Sequence, residues 1–222
     1  MHLKFAEISK VLVAGLIVSL AGSAGAQTSV PPNQVSPFAD TSMLKPPAGA
    51  KVAIMEWEDM ACPDCAHAFP FVHAAMKQYN VPLIRYDFLI PRHLWSHRAA
   101  LYARYLEDKV SPEVATQYRR EVFASQPKIA DNDALTRFTK EFFAAQGKEL
   151  PMVLDPTGQQ EREVNEGDVL GHRLSARMHT PTIIVVTPTA WVEVVDEEQL
   201  NAVIEQAQAT VATSKGAAPA GQ

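Results

Sequence analysis

The chain has only two cysteines, and they stand two residues apart in Cys62-Pro63-Asp64-Cys65. An apolar run from Val52 to Trp57 leads into the pair and reads as a strand. A second apolar run, Ala66 to Tyr79, leads out and reads as a helix. Cys62 then falls at a helix N-terminus, where free N–H groups and the positive end of the dipole favour a thiolate. The thiolate is the species that attacks a disulfide. A loop this short gains little from closure entropy, so the pair reads as a redox couple rather than a staple.

Composition narrows the setting. With 222 residues, 47% of them hydrophobic, the chain suits one globular domain with tails. Its net charge of -5 and lack of a basic block argue against nucleic acid as a partner. Residues 1–26 read as a signal peptide: Lys4 and Lys10, an apolar stretch from Val11 to Leu20, then Ala24-Gly25-Ala26 as the cleavage site. The apolar stretch is shorter than the roughly 20 residues of a membrane span. An uncleaved anchor is the alternative. Export with cleavage after Ala26 puts the chain where disulfides form and persist.

The rest follows in chain order. Residues 27–50 carry Pro31, Pro32, Pro37, Pro46 and Pro47 and read as a Pro-rich arm, with an edge strand near Val35 to Phe38 as the alternative. Residues 51–91 read as β-α-β, with the two strands parallel and Pro70 kinking the helix. Residues 92–178 show helical spacing in Leu101/Tyr105, Val114/Tyr118/Val122 and Leu135/Phe138/Phe142. Ser111 before Pro112, and Asp131 or Asp133, are helix starts there, and a further helix opens at Asp155 or Thr157 and runs to about Met178. Residues 179–209 read as β-β-α, with Asp196 capping the last helix, and residues 210–222 as a disordered tail. The order is α/β: β-α-β, an all-helical block, then β-β-α.

At this point the chain resembles the thioredoxin-fold thiol-disulfide oxidoreductases, in their DsbA-like branch with a helical insertion. The likeness covers about residues 51–209. It rests on Cys62-Pro63-Asp64-Cys65, on Pro70 five residues after Cys65, on Glu56 six residues before Cys62, and on Thr180-Pro181 ahead of an apolar strand. The resemblance implies that Cys62 is the exposed nucleophile and Cys65 the buried resolving thiol. It implies a buried acid at Glu56, and a cis-proline loop at Thr180-Pro181 along which a client chain lies. The substrate-binding residues are then Pro63, Asp64, His179, Thr180 and Pro181.

The chemistry of each position adds to this. Cys65 must lose its proton when it attacks a mixed disulfide, and Glu56 is the candidate acceptor. The alternative is that Glu56 faces solvent. Glu58 and Asp59 read as an acidic rim. Asp64 stands where the strongly oxidising relatives carry His, and a carboxylate beside Cys62 is expected to raise the thiol pKa and make a milder oxidant. His179 is either a titratable charge near Cys62 or an exposed loop histidine. His67, His93 and His97 lack partners for a four-ligand zinc site, so no metal is expected. Trp95, with Pro63 and Pro181, is a candidate lining for an apolar client groove.

The leading expectation is an exported dithiol-disulfide oxidoreductase acting as an oxidase. It would be a periplasmic monomer with no cofactor beyond the Cys62–Cys65 disulfide. Its partners would be unfolded exported proteins and a redox partner, membrane-bound or soluble. The alternatives are a reductase or isomerase of the same fold, and a non-catalytic metal-binding or chaperone module.

Overall fold

A computed structural model describes residues 38–216. The signal peptide, the cleavage site after Ala26, residues 27–37 of the arm and residues 217–222 lie outside the described residues.

Four strands form one sheet in the order β2-β1-β3-β4. They are β1 (Ala53–Glu58), β2 (Leu83–Asp87), β3 (Thr182–Val186) and β4 (Trp191–Val194). The crossover helix α1 (Pro63–Tyr79) makes β1 and β2 parallel, while β3 runs antiparallel to both β1 and β4. The insertion holds α2 (Ser96–Lys109), α3 (Pro112–Ser125), α4 (Asn132–Ala145) and α5 (Gln159–Leu174). The chain closes with α6 (Leu200–Gly216). Ser111 accepts from the Val114 N–H and Asp131 from the Ala134 N–H, so both helix starts are capped as their residue types dictate.

The core has three parts. On one sheet face Ile54, Ile183 and Val185 pack against Ala68 and Val72 of α1 and Leu200 and Ile204 of α6. On the other face Met55, Trp57, Ile184 and Val186 pack against Phe88 and Leu174. The third part joins α2, α3 and α4 to Phe69 of α1, and the two cysteines sit at its edge. The inserted segment is therefore divided. Helices α2 to α4 build a core that Val164 of α5 also enters, while the rest of α5 lies beside β2. A Cβ on Gly167 of α5 would overlap the Asp87 backbone carbonyl, and one on Gly171 would lie 2.6 Å from Phe88. We expect Gly167→Ala to destabilise the protein by about 1–3 kcal/mol through overpacking, read from the urea midpoint.

Two boundaries differ from expectation. Residues 38–50 are not a free arm. Leu44 is buried, Phe38 packs on Trp191, the Ala39 N–H donates to Leu174 O, and Asp40 pairs with Arg173. The apolar side chains of this stretch cover sheet surface that α5 leaves open. Residues 210–216, expected in a disordered tail, are helical, and residues 217–222 lie outside the described residues. Helix α6 continues to Gly216, with Ala207 and Val211 packed against the core it shares with α1.

Candidate active site

Cys62 is the N-cap of α1, with Pro63 at the first helical position. Pro63 presets the helical φ and has no N–H to leave unpaired. Pro63 and Asp64 are exposed, while Cys62 and Cys65 are buried at 6% and 1% and both carry free thiols. The Cys62 thiol donates to Thr180 O at 3.4 Å. The Thr180–Pro181 peptide bond is cis, and the contact at Thr180 O sets this loop directly against the nucleophile.

The Cys62 pKa is pushed down to about 6. A hydrogen bond from Cys65 is the main cause. It is aided by the N–H groups of Cys65 and Asp64, and opposed by burial. Asp64 was expected to act on Cys62 through its carboxylate. Its side chain instead points to solvent, and its backbone N–H helps lower the thiol. Burial pushes the Cys65 thiol far up, reinforced by Cys62 and the charge of Glu58. The two sulfurs are thus strongly unequal.

Glu56 is completely buried, not solvent-facing. Burial and the charge of Glu58 push its carboxyl up to about 8, against Arg85 and Arg119. Among the described residues neither of its oxygens has a hydrogen-bond partner, and Arg85 Nε lies 3.9 Å away.

The acidic rim expected at Glu58 and Asp59 does not exist, because both are buried. Glu58 is matched by cations: Arg119 Nη1 stands 2.6 Å from Oε1 and Arg85 Nε 3.1 Å. Arg119 also reaches Asp87 at 3.0 Å, and Asp87 binds Arg104 Nε at 2.6 Å. Asp59 is held by four donors from the turn and from the start of the insertion. His93 is one of them, 2.9 Å from Asp59 Oδ2. His97 pairs with Glu161 instead.

A groove of about 350 Å³ opens beside the thiols, lined by Asp64, His67, His179, Thr180, Pro181 and Glu193 among others. His179 is exposed and stands 3.8 Å from Glu193. Pro63 does not line this groove, and Trp95 is buried in the helical core near Cys62. Gln126 is a site residue that the sequence reading missed. Its Nε2 donates to Met60 O at 2.8 Å and Cys62 O at 2.9 Å, tying the nucleophile's turn to the insertion. No local signal marked it, since it follows α3 at an ordinary turn. Arg119 did carry a signal: it lies four residues after Ala115 and three before Val122, on the buried face of α3.

The fold and this dithiol together define a thioredoxin-fold protein with a DsbA-like helical insertion. The Thioredoxin family model matches residues 41–206, and the chain belongs to that family. Among solved structures it is similar to Wolbachia pipientis α-DsbA1, with 14% identity, a TM-score of 0.61, and coverage of 79% of this chain and 99% of that one. The thiol-disulfide exchange protein α-DsbA2 of the same organism gives 16% identity, a TM-score of 0.55, and coverage of 73% and 84%. ScsC of Proteus mirabilis, in a transitional conformation, gives 17% identity, a TM-score of 0.57, and coverage of 74% and 71%. No curated protein sequence matches the chain.

Proposed function

We propose that this protein is an exported dithiol-disulfide oxidoreductase that passes the Cys62–Cys65 disulfide to client protein thiols. A client thiolate attacks Cys62, and the S–S bond to Cys65 breaks with the electron pair staying on Cys65. A second client thiolate then attacks the mixed disulfide and releases Cys62. The client gains a disulfide and the protein is left with two thiols.

The single observation that carries the reading is the Cys62 thiol with a pKa of about 6, at a helix N-terminus, touching the cis-proline loop. A good leaving thiolate stabilises the reduced protein, which makes its disulfide an oxidant. This favours the oxidase direction over the reductase. Clients lie along Thr180-Pro181, in the groove that Asp64 and His179 also line, with the exposed Pro63 next to Cys62. The thiol-disulfide exchange activity of the Wolbachia α-DsbA2 neighbour supports the chemistry. The signal-like residues 1–26 support export, to the periplasm, where unfolded clients and a redox partner would be met by a monomer needing no cofactor.

In this scheme Glu56 gives its proton to the Cys65 thiolate as that sulfur leaves, and takes it back when the protein is reoxidised. We expect Glu56→Gln to slow the steps in which Cys65 gains or loses a proton by about 10²-fold, the low end for a positioned proton acceptor. The inflection near pH 8 in the rate of exchange with glutathione should vanish with it. Stability moves the other way. A carboxyl with a raised folded pKa costs stability once its unfolded form ionises, from the ordinary 4.5 upward and through about 8. Glu56→Gln should therefore be the more stable protein above pH 8, by urea denaturation.

The test of the function is the reduction potential of the protein from Gln27 onward, in glutathione buffers. A value of about -120 to -180 mV is expected of an oxidant. About -270 mV would reverse the direction to a reductase. A pair that forms no disulfide, with bound zinc instead, would leave the metal-binding reading in its place.

A further inference from the structure

Asp59 touches both halves of the dithiol. It stands three residues before Cys62, in the turn between β1 and α1. Its backbone N–H points at Cys65 Sγ, 3.5 Å away. Its carbonyl accepts from the Cys62 N–H at 3.0 Å. Its carboxylate is fully buried and every contact to it is a donor. Oδ1 accepts from the Ala61 N–H at 2.7 Å and from the Ser96 hydroxyl through a short bond. Oδ2 accepts from the Ile90 N–H at 2.9 Å and meets His93 Nδ1 at 2.9 Å. Three of these four donors belong to the chain just after β2, where the helical insertion begins.

We propose that Asp59 is a positioning residue for the exchange reaction: its anchored carboxylate locks the turn so that its own N–H stays aimed at Cys65. The inference rests on the oxidoreductase reading and adds a residue to it. When a client opens the disulfide, Cys65 leaves with the electron pair, and a buried sulfur carrying charge needs a donor. The Asp59 N–H is such a donor, already in place. A backbone N–H in a turn is held only as well as the turn. Here the turn is pinned by four hydrogen bonds to one charged group, and bonds to a charged group are among the stronger ones. The same anchoring explains why this carboxylate is inside the protein rather than on its rim.

The variants are Asp59→Asn and Ser96→Ala. Asparagine has the same shape, but its NH₂ confronts a fixed backbone N–H in either orientation, that of Ala61 on one side or of Ile90 on the other. Wild type and variants are equilibrated with glutathione, and their thermal midpoints are measured oxidised and reduced. In the reduced protein Cys65 Sγ accepts from the Asp59 N–H while its own thiol donates to the Cys62 thiolate, so a loosened turn weakens both bonds, and Asp59→Asn is expected to shift the equilibrium about fivefold toward the disulfide, or about 20 mV more negative. Ser96→Ala, which removes one donor, should shift it the same way by about twofold or more. The reduced form should lose more thermal stability than the oxidised form. A purely structural carboxylate would lower both midpoints equally and leave the potential in place, and that result overturns the proposal. If Asp59→Asn does not fold, Ser96→Ala decides alone. A wild-type protein that forms no disulfide would sink the oxidoreductase reading itself. A normal wild type with unshifted variants sinks only the role of Asp59.

Discussion

Reduced protein titrated from acid to alkaline pH should show thiolate absorbance rising with a midpoint near pH 6, and Cys62→Ser should abolish both that signal and all exchange activity. The ordinary thiol value here is 9.0, so at neutral pH Cys62 is mostly thiolate where an unperturbed cysteine is almost wholly protonated. Because a hydrogen bond from Cys65 is the main cause, Cys65→Ala should move the midpoint back toward the ordinary value and leave clients trapped on Cys62. Linkage gives a second readout. The folded pKa lies below the unfolded one, so the thiolate stabilises the reduced fold. That stabilisation is complete above about pH 9 and is lost as pH falls through about 6. The oxidised protein has no thiolate and lacks this dependence. The difference in urea midpoint between the reduced and oxidised proteins should therefore shift in favour of the reduced form between pH 6 and 9. A midpoint near 9 would remove the basis for the oxidase reading.

The second large effect lies in the buried charges. Arg119→Met should cost about 3 kcal/mol of stability, seen as a lower urea midpoint at pH 7. Arg119 is 1% exposed and binds Glu58 and Asp87 through one nitrogen. Its removal leaves two buried carboxylates each short of a cation, and breaking a buried pair costs about 3–5 kcal/mol. The lower figure applies because Arg85 stays near Glu58 and Arg104 stays on Asp87. Burial opposes ionisation of Asp87, yet Arg119 and Arg104 together still hold its carboxyl below the ordinary value. Combining Arg119→Met with Glu58→Leu should recover part of the loss, since a carboxylate that is absent needs no partner. A loss under about 1 kcal/mol would mean that Glu58 and Asp87 do not depend on Arg119 for compensation. Because Arg119 belongs to α3 and its partners to the sheet, this network fixes the insertion against the strand that ends at the active-site turn.

The strand-helix-strand around the cysteines could be read from sequence because its signals are local. Apolar runs of strand and helix length flank the motif, Ser111 and Asp131 cap as their side chains require, and a helix between two strands makes them parallel. Glu56 and the cis bond before Pro181 were reached through resemblance. The offset to Cys62 marked Glu56, and nothing in the residues themselves distinguishes a cis from a trans proline. Glu58 and Asp59 look solvent-exposed in sequence because a run of acidic residues near a turn is usually solvated. Only the packed structure brings Arg119, Arg85, His93 and Ser96 up to them from positions 27 to 61 residues away.

What the sequence by itself determined was the redox pair, its place at a helix start and the α/β order, since each depends on neighbours within a few turns of chain. What only the tertiary structure decided was which carboxylates are buried, which cations match them, how far residues 38–50 and α6 pack on the core, and that Gln126 and Asp59 hold the thiols. Each of these is a contact between distant segments. A charged side chain goes inside only where other segments supply its partners, and that supply is not written in any one stretch of sequence.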